Sequence, residues 1–319
     1  GAKKCITGTL ARNIPQRCPA TNASPGRVKF HGPTALAPKN LRETSLNLYS
    51  RIMSQQLSGE FLAAIAKEYG TPVYVYHAEK IKEQYNRLTA AFKDSDARFF
   101  YAGKALTNIN ILRYIKELGC DVDCSSINEV RLALHAGFAP ERVLYTSNNI
   151  AFSEIEAAQQ LGVHINIDSL SNLEKFGKKF GHSYPVGIRL RPNIMSGGNI
   201  KIATGHSKSK FGIPLEQVDE VLRLVSETNL YIRGLHIHTG SEIEDVALAK
   251  GIEVLFGLVD RFPEVEFLDL GGGFKVPYKP GEQGANIEAS GRMVAEAFAE
   301  FEKKNNRHLQ VWFEPGKFL

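Results

Sequence analysis

Four short stretches of the chain carry side chains whose types and spacing could do chemistry. The first is Phe100-Tyr-Ala-Gly-Lys104-Ala, in which a lysine follows an apolar run and stands among small residues. A lysine placed this way can be desolvated, which lowers the pKa of its amine and allows it to form an imine with a carbonyl compound. A lone lysine at a strand end is more often a surface residue. A functional role for Lys104 therefore depends on which residues lie near it in the fold.

The second stretch is His236-Ile-His238-Thr-Gly-Ser241. Alternate residues of a strand face the same side, so the two imidazoles would point the same way. Such a pair could bind zinc, stack on an aromatic cofactor, or form a hydrogen-bonded pair in a partly buried position. A metal site on this fold needs more His or Cys ligands than the neighbouring strand ends offer, so we expect no metal.

The third stretch is Leu268-Asp-Leu-Gly271-Gly-Gly273-Phe. Glycine lets backbone amides approach an anion closely, although tight turns use the same residue. In barrels of alternating strands and helices, phosphate often binds in the loops that follow the seventh and eighth strands. Because this glycine run follows the predicted seventh strand, its position favours a phosphate site.

The fourth stretch is Phe313-Glu314-Pro-Gly316-Lys317. A carboxylate at the end of a strand could act as a general base or pair with a protonated ring nitrogen, and it could also be an ordinary loop glutamate. Taken together, the four stretches offer an amine for an aldehyde, a flat imidazole, a cradle for phosphate and a carboxylate. Pyridoxal phosphate requires this set, so we expect it as the cofactor.

Eight short apolar runs that alternate with helical segments must position these residues. The predicted strands are 98–102, 120–124, 143–146, 164–168, 186–190, 232–238, 267–270 and 310–314, and the predicted helices are 108–118, 127–136, 153–161, 169–179, 215–228, 247–261 and 287–304. This order predicts a (β/α)8 TIM barrel, and an open doubly wound sheet is the alternative. The chemistry-bearing residues follow strands, as they do at the C-terminal rim of barrels, which favours the barrel.

The chain before this pattern divides into two parts. Residues 53–96 predict a helix, a strand near 71–76 and a second helix, and the strand has no partner inside a barrel. We therefore expect it to belong to a second β-domain that is mostly absent. The barrel is predicted over 97–319, with its last helix missing.

Residues 1–52 form a basic leader. They hold nine basic residues and one acidic residue, whereas the rest of the chain holds 30 basic and 33 acidic residues, so the leader accounts for the overall net charge of +5. The leader could be a transit peptide or a nucleic-acid tail, but we favour extraneous or unstructured sequence before Met53. We expect no nucleic-acid partner, and because no run approaches the roughly 18 apolar residues of a membrane helix, no membrane partner. The cysteines of the predicted second strand, Cys120 and Cys124, are expected in the core.

The four stretches also resemble a known family. Tyr101-Ala-Gly-Lys104-Ala, His238-Thr-Gly-Ser241, Gly271-Gly-Gly273 and Glu314-Pro-Gly316 are similar to the motifs of the alanine-racemase-like, fold-type III pyridoxal-phosphate decarboxylases. Within that group, Arg189-Leu-Arg-Pro-Asn193, Ser196-Gly-Gly-Asn199 and the segment Thr204–Gly212 look most like the diaminopimelate decarboxylases. The resemblance runs from about Gly59 to Leu319.

The resemblance implies a role for each matching residue. Lys104 would hold the cofactor as a Schiff base and act in catalysis, His238 would stack on the ring, and Glu314 would keep the ring nitrogen protonated. Phosphate would be bound by Ser241, Gly271, Gly272, Gly273 and Gly316. Asp123 and Arg189 match positions that support Lys104 and His238. Lys317 would bind a substrate carboxylate where many members carry arginine, which has a bidentate fork that lysine lacks.

The implied activity is the decarboxylation of meso-2,6-diaminopimelate to L-lysine in the cytoplasm, or in a plastid if the leader is a transit peptide. Family members complete their active site with a C-terminal β-domain across a homodimer interface, so this chain is expected to be inactive alone. The alternatives are an ornithine- or arginine-type decarboxylase, a non-catalytic homologue that binds pyridoxal phosphate, and a zinc hydrolase on the same barrel.

Overall fold

A computed structural model describes residues 4–8, 16–17, 57–146, 148–194, 209–240 and 245–319. The chain divides into two compact units, Gly1–Glu83 and Gln84–Leu319. Among the described residues, no helix is both long and apolar enough to cross a membrane.

The described residues of the first unit include a small sheet and a helix that precedes its last strand. Its strands are β1 (Lys4–Gly8), β2 (Gln16–Arg17) and β3 (Val73–His77), in the order β2-β1-β3, with β1 parallel to β3. Helix α1 (Gly59–Tyr69) begins where the Ser58 hydroxyl accepts a hydrogen bond from the amide of Phe61 and ends at Gly70. As the sequence predicts, β3 belongs to a sheet separate from the barrel. Most of the leader lies outside the described residues, and its assignment stays a prediction.

The second unit is a closed parallel barrel, as predicted. Helix α2 (Ala78–Ala91) leads into it from the first unit. Its strands are β4 (Ala97–Ala102), β5 (Asp121–Cys124), β6 (Val143–Thr146), β7 (His164–Ile167), β8 (Val186–Arg191), β10 (Ile232–Ile237), β11 (Phe267–Asp269) and β12 (Gln310–Phe313). Neighbouring strands pair in this order, and β12 pairs with β4 to close the ring.

The helices that cover the barrel match the predicted periodic segments. They are α3 (Ile109–Glu117), α4 (Ile127–Ala136), α5 (Phe152–Gln160), α6 (Leu170–Phe180), α7 (Val218–Thr228), α8 (Asp245–Val259) and α9 (Ile287–Asn305). The sequence missed a two-residue strand, β9 (Ile213–Pro214), which pairs with the end of β8. Two residues are too few to show the alternation that predicts a strand, so the sequence pattern could not predict β9.

The interior of the barrel is filled by large apolar side chains. Phe100, Leu144, Phe267 and Trp312 form one buried cluster, in which the rings of Phe267 and Trp312 stack with centroids 3.5 Å apart. The two cysteines of the barrel, Cys120 and Cys124, are buried free thiols, as predicted. A filled barrel is a rigid support, which leaves its C-terminal rim to hold a site.

The opposite, N-terminal end of the barrel carries a network of charges. Asp121, at the start of β5, accepts hydrogen bonds of 2.6 Å from both Arg98 and Arg142. Nearby, the ring of His164 donates to the carbonyl oxygen of Glu141 and packs edge-on against Trp312. These contacts close the bottom of the barrel, away from the predicted chemistry.

Candidate active site

A cavity of about 230 Å³ opens at the C-terminal rim of the barrel. Seven of the residues that the sequence assigns to a site line it, together with two alanines and a phenylalanine: Ala102, Lys104, Ala105, His238, Gly272, Gly273, Phe274, Glu314, Gly316 and Lys317. They come from the loops after β4, β10, β11 and β12. The barrel therefore brings together groups that are more than 200 residues apart in the chain.

Lys104 stands in a short 3-10 turn, Gly103–Ala105, that follows β4. A Cβ on Gly103 would lie 3.1 Å from the carbonyl oxygen of Asp123, so the turn packs closely against β5. The turn carries Lys104 above the strand, and its side chain is exposed in the mouth of the cavity. The desolvation expected of this lysine stays a prediction.

The glycine run lies directly against His238. Gly271 has a φ of +71°, and a Cβ there would be 2.6 Å from Nδ1 of His238 and 2.9 Å from the carbonyl oxygen of Ile237. The amide of Gly272 donates to the same Nδ1 at 3.3 Å. The loop thus needs glycine both for its backbone conformation and for its close contact with the ring.

The imidazole of His238 is neutral in this setting. Burial lowers its pKa well below the ordinary value of 6.5, and the positive charges of Arg189 and Lys104 lower it further. Since Nδ1 accepts a hydrogen bond, the neutral ring carries its proton on Nε2. A neutral, oriented imidazole is suited to lie flat against an aromatic ligand.

Glu314 is buried, with 5% of its surface exposed, yet it reaches the cavity wall. The hydroxyl of Thr146 lies 3.2 Å from its Oε1, and the amide nitrogen of Asn166 lies 3.1 Å from the same hydroxyl oxygen. Because Asn166 donates to that oxygen, the hydroxyl hydrogen of Thr146 is directed to Glu314. The carboxylate is therefore held in one orientation toward the cavity.

Gly316 and Lys317 form the wall next to Lys104. A Cβ on Gly316 would meet the Cβ atoms of Ala102 and Ala105 at 3.3 and 3.4 Å. The amide of Ala102 donates to the carbonyl oxygen of Pro315 at 2.8 Å, which fixes this loop on β4. Lys317 is exposed, and its amine lies 5.7 Å from the ring centre of Tyr278.

Asp123 and Arg189 are buried titratable residues that interact electrostatically with Glu314, and Asp123 also interacts with Lys104. Burial raises the pKa of Asp123 well above its ordinary value, the charge of Glu314 raises it further, and Lys104 and Arg189 oppose the rise. Among the described residues, neither carboxylate oxygen of Asp123 has a hydrogen-bond partner. The guanidinium of Arg189 lies 4.8 Å from the ring centre of Phe211.

Several polar residues near the site were missed by the sequence reasoning: Thr146, Asn166 and Asp269. All three are buried and stand at or near the C-terminal ends of β6, β7 and β11. The available signal was a polar residue within an otherwise apolar strand, since such a residue must face other polar groups if it is buried. Position at the C-terminal rim would have connected them to the site.

The described part of the chain holds one group of three side chains with the spacing of metal ligands. The ligand atoms of His236, Asp269 and Glu314 all lie within 4.8 Å of one another, and all three residues are buried. The sequence predicts no metal, and that prediction is not tested by this proximity.

Ser241 lies outside the described residues, as do the stretches 196–199 and 204–206 on which the subgroup resemblance partly rests. Its assignment to a phosphate therefore stays a prediction. The geometry places the other predicted residues in the lining of one cavity or in contact or electrostatic interaction with that lining, and their individual roles remain proposals.

The residues present fit pyridoxal phosphate. The cavity offers a primary amine, a neutral imidazole and a buried carboxylate on separate walls. Neither carboxylate oxygen of Asp123 has a hydrogen-bond partner within the described residues. Such oxygens are expected where a carboxylate stabilises a cation that faces the ligand. Gly272 leaves no room for a side chain, since a Cβ would lie 2.1 Å from the carbonyl oxygen of Glu314.

A parallel (β/α)8 barrel with an amine, an imidazole and a glycine loop at its C-terminal rim defines a class of barrel enzymes that hold a cofactor there. Residues 78–319 match the family described as pyridoxal-dependent decarboxylase, pyridoxal binding domain. The chain belongs to this family of pyridoxal-dependent decarboxylases, and pyridoxal phosphate is its cofactor.

Individual relatives are similar over the same part of the chain. The diaminopimelate decarboxylase of Methanothermobacter thermautotrophicus is 34% identical over 82% of this chain and 64% of its own length. The structure of diaminopimelate decarboxylase from Helicobacter pylori with L-lysine has a TM-score of 0.72 at 27% identity, covering 81% of this chain and 66% of that one. The lysine/ornithine decarboxylase from Vibrio vulnificus with putrescine has a TM-score of 0.68 at 25% identity, covering 82% of this chain and 69% of that one. The chain thus spans just under two thirds of the length of the first two.

Proposed function

We propose that this chain carries the cofactor-binding barrel of a diaminopimelate decarboxylase, which converts meso-2,6-diaminopimelate to L-lysine and carbon dioxide. The observation that carries the proposal is the single cavity lined by Lys104, His238 and Glu314 together with the glycine loop. The relatives named diaminopimelate decarboxylase support the substrate.

Each wall of the cavity has a task in this proposal. Lys104 would supply the amine that attaches the cofactor. The neutral ring of His238 would lie against the cofactor ring, oriented by the hydrogen bond that its Nδ1 accepts from the amide of Gly272. Pyridoxal phosphate supplies a site for the electron pair left when the substrate carboxylate departs as carbon dioxide.

Charge complementarity completes the assignment. Glu314 faces the cavity as a buried carboxylate and would pair with the protonated ring nitrogen. The amides of Gly272 and Gly273, with Gly271, Gly316 and Ser241, would bind the phosphate. The exposed amine of Lys317 would attract a carboxylate of the substrate as a point charge. Asp123 and Arg189 would support Lys104 and His238 through electrostatic interactions.

A decarboxylase for ornithine, arginine or lysine is the second candidate, because the similar Vibrio vulnificus structure is named for lysine and ornithine. Its TM-score of 0.68 at 25% identity is lower than the 0.72 at 27% identity of the Helicobacter pylori diaminopimelate decarboxylase structure, which favours diaminopimelate. A homodimer with a composite active site, acting in the cytoplasm, completes the proposal. Both are what the resemblance to the fold-type III decarboxylases implies.

The experiment compares substrates on the complete natural protein loaded with pyridoxal phosphate. Release of carbon dioxide is measured with meso-diaminopimelate, L-ornithine, L-arginine and L-lysine at equal concentration. We expect the largest kcat/KM with meso-diaminopimelate and L-lysine as the product. A larger value with ornithine, arginine or lysine would favour the second candidate, and no turnover of any amino acid by protein that binds the cofactor would favour a non-catalytic homologue.

A further inference from the structure

A polar pocket lies behind the wall that Glu314 forms. Its other members are His236, from β10, and Asp269, from β11, and both are completely buried. Ligand atoms of the three side chains lie within 4.8 Å of one another. Of the three, only Glu314 also lines the cavity, and Asp269 contacts the glycine loop through the amide of Gly271.

Two carboxyl groups this close in a dry pocket cannot both carry a negative charge. Asp269 accepts a hydrogen bond at Oδ1 from the amide of Gly271 at 2.9 Å, while Oδ2 accepts no hydrogen bond from any N–H or hydroxyl group among the described residues. Glu314 receives the Thr146 hydroxyl and lies beside the cationic Arg189. The proton that the pair must keep therefore belongs on Oδ2 of Asp269, where it can be donated to Glu314.

His236 does not supply a positive charge that would allow Asp269 and Glu314 both to be ionised. Nε2 of His236 lies 3.5 Å from Oε1 of Glu314, but neither ring nitrogen has a hydrogen-bond partner within the described residues. Burial lowers the pKa of His236 well below 6.5, and Arg189 and His238 add to that effect. Conversely, burial and the charge of Glu314 raise the pKa of Asp269 well above its ordinary value.

We propose that Asp269 is a positioning residue, a neutral carboxylic acid that donates a hydrogen bond to Glu314 and leaves Glu314 as the single negative charge of the pair. Glu314 then has two donors, the Thr146 hydroxyl and the Asp269 carboxyl, which together fix its orientation and its charge. The benefit to pyridoxal phosphate rests on the proposed function. The protonation of Asp269 does not, because it follows from contacts within the chain.

The first test reads the proton directly, without cofactor or substrate. An infrared spectrum of the purified chain at neutral pH detects the carbonyl stretch of protonated carboxyl groups. We expect one component of this band to be lost in Asp269→Asn. Asp123→Asn is the matched control, because it removes another buried carboxyl group and should leave the Asp269 component in place. An unchanged band in Asp269→Asn would overturn the proposal.

The second test measures the affinity of the chain for pyridoxal phosphate. Asparagine can donate to Glu314 and accept from Gly271, so Asp269→Asn should stay within about threefold of the natural chain. Asp269→Ala removes both the donor to Glu314 and the acceptor for the Gly271 amide, and should bind at least about tenfold more weakly. Equal losses in both variants would show that a charge was needed, and equal affinity in all three would show no positioning role. Either result would overturn the proposal.

Two further measurements keep the tests decisive. Melting temperatures show whether Asp269→Ala is folded. If it is not, the infrared band and the cofactor affinity of Asp269→Asn test the proposal. Metal analysis of the purified chain should find no stoichiometric zinc, since a metal bound by these three side chains would replace the proton and contradict the proposal. If the natural chain does not bind pyridoxal phosphate, the proposed function fails while the infrared result still decides the state of Asp269.

Discussion

The backbone amide of Glu314 donates a hydrogen bond of 2.9 Å to the carbonyl oxygen of Gly271. One residue before Gly271 and two before Glu314, the amide of Leu270 donates to the carbonyl oxygen of Trp312 at 3.0 Å. The ladder between β11 and β12 therefore continues into the loops at the rim. It fixes the glycine run and the buried Glu314 carboxylate as one unit, so a substitution that displaces one should also displace the other.

Gly272→Ala tests this unit. A Cβ at position 272 would lie 2.1 Å from the carbonyl oxygen of Glu314, which is a backbone atom and can move only with its loop. We expect pyridoxal phosphate to bind at least about tenfold more weakly, because both the phosphate cradle and Glu314 must shift. Fluorescence or absorbance titration with the cofactor measures the change.

Gly257→Ala is the matched control for this substitution. Gly257 lies within α8, and a Cβ there would meet nothing within 4 Å. Alanine in a helix interior stabilises by about 0.5–1 kcal/mol relative to glycine, so this variant should bind the cofactor normally and melt at a slightly higher temperature. A Gly272→Ala variant that binds as tightly as Gly257→Ala would contradict the rigid unit.

Lys317 should act on the substrate and leave cofactor binding unchanged. Its exposed amine lines the cavity from the side of Gly316 and rests over the ring of Tyr278. In the complete natural protein, Lys317→Ala should raise KM for meso-diaminopimelate about tenfold and change the affinity for pyridoxal phosphate little. Lys317→Arg keeps the charge and should restore KM. Weakened cofactor binding in Lys317→Ala would place the lysine at the phosphate instead.

The stability of the barrel should depend on pH through His164. Burial, with help from Arg98 and Arg233, lowers the pKa of His164 from its ordinary 6.5 to about 4. The unfolded chain thus binds this proton at higher pH than the folded chain. The neutral ring contributes its full stability above about pH 6.5 and loses it as the pH falls toward 4, by about 3 kcal/mol at most.

Urea unfolding between pH 7.5 and 4.5 measures this dependence. His164→Gln should flatten the acid loss of the free energy of unfolding. His308→Gln is a control of opposite sign, because the carboxylates of Glu302 and Asp96 raise the pKa of His308. That group stabilises at low pH and loses its contribution as pH rises, so its removal should steepen the acid loss. Parallel pH curves for the natural chain and His164→Gln would contradict the assignment.

Much of the fold and of the site could be read from the sequence. Parallel barrel strands are buried on both faces and therefore appear as short apolar runs, which is why all eight were predicted within a few residues of their bounds. Lys104, His238 and Glu314 follow such runs, and strand ends converge at one rim of a barrel. Their meeting in one cavity is thus a consequence of topology.

The sequence could not show which polar residues support the site from behind. Asp269 and Thr146 belong to strands, and their importance depends on which atoms of other strands they meet. The exposure of Lys104 was also hidden, because it depends on the short turn that Gly103 allows against β5. These features arise from contacts between residues far apart in the chain, which no local pattern encodes.

The central claim is that Lys104 is the residue that holds pyridoxal phosphate. The most direct measurement incubates the purified chain with pyridoxal phosphate, reduces the adduct with borohydride and locates the label by peptide mass spectrometry. We expect a single pyridoxyl group per chain on Lys104, absent from Lys104→Ala together with the visible absorbance band and retained in Lys317→Ala. Label spread over surface lysines, or label and absorbance that persist in Lys104→Ala, would contradict the account.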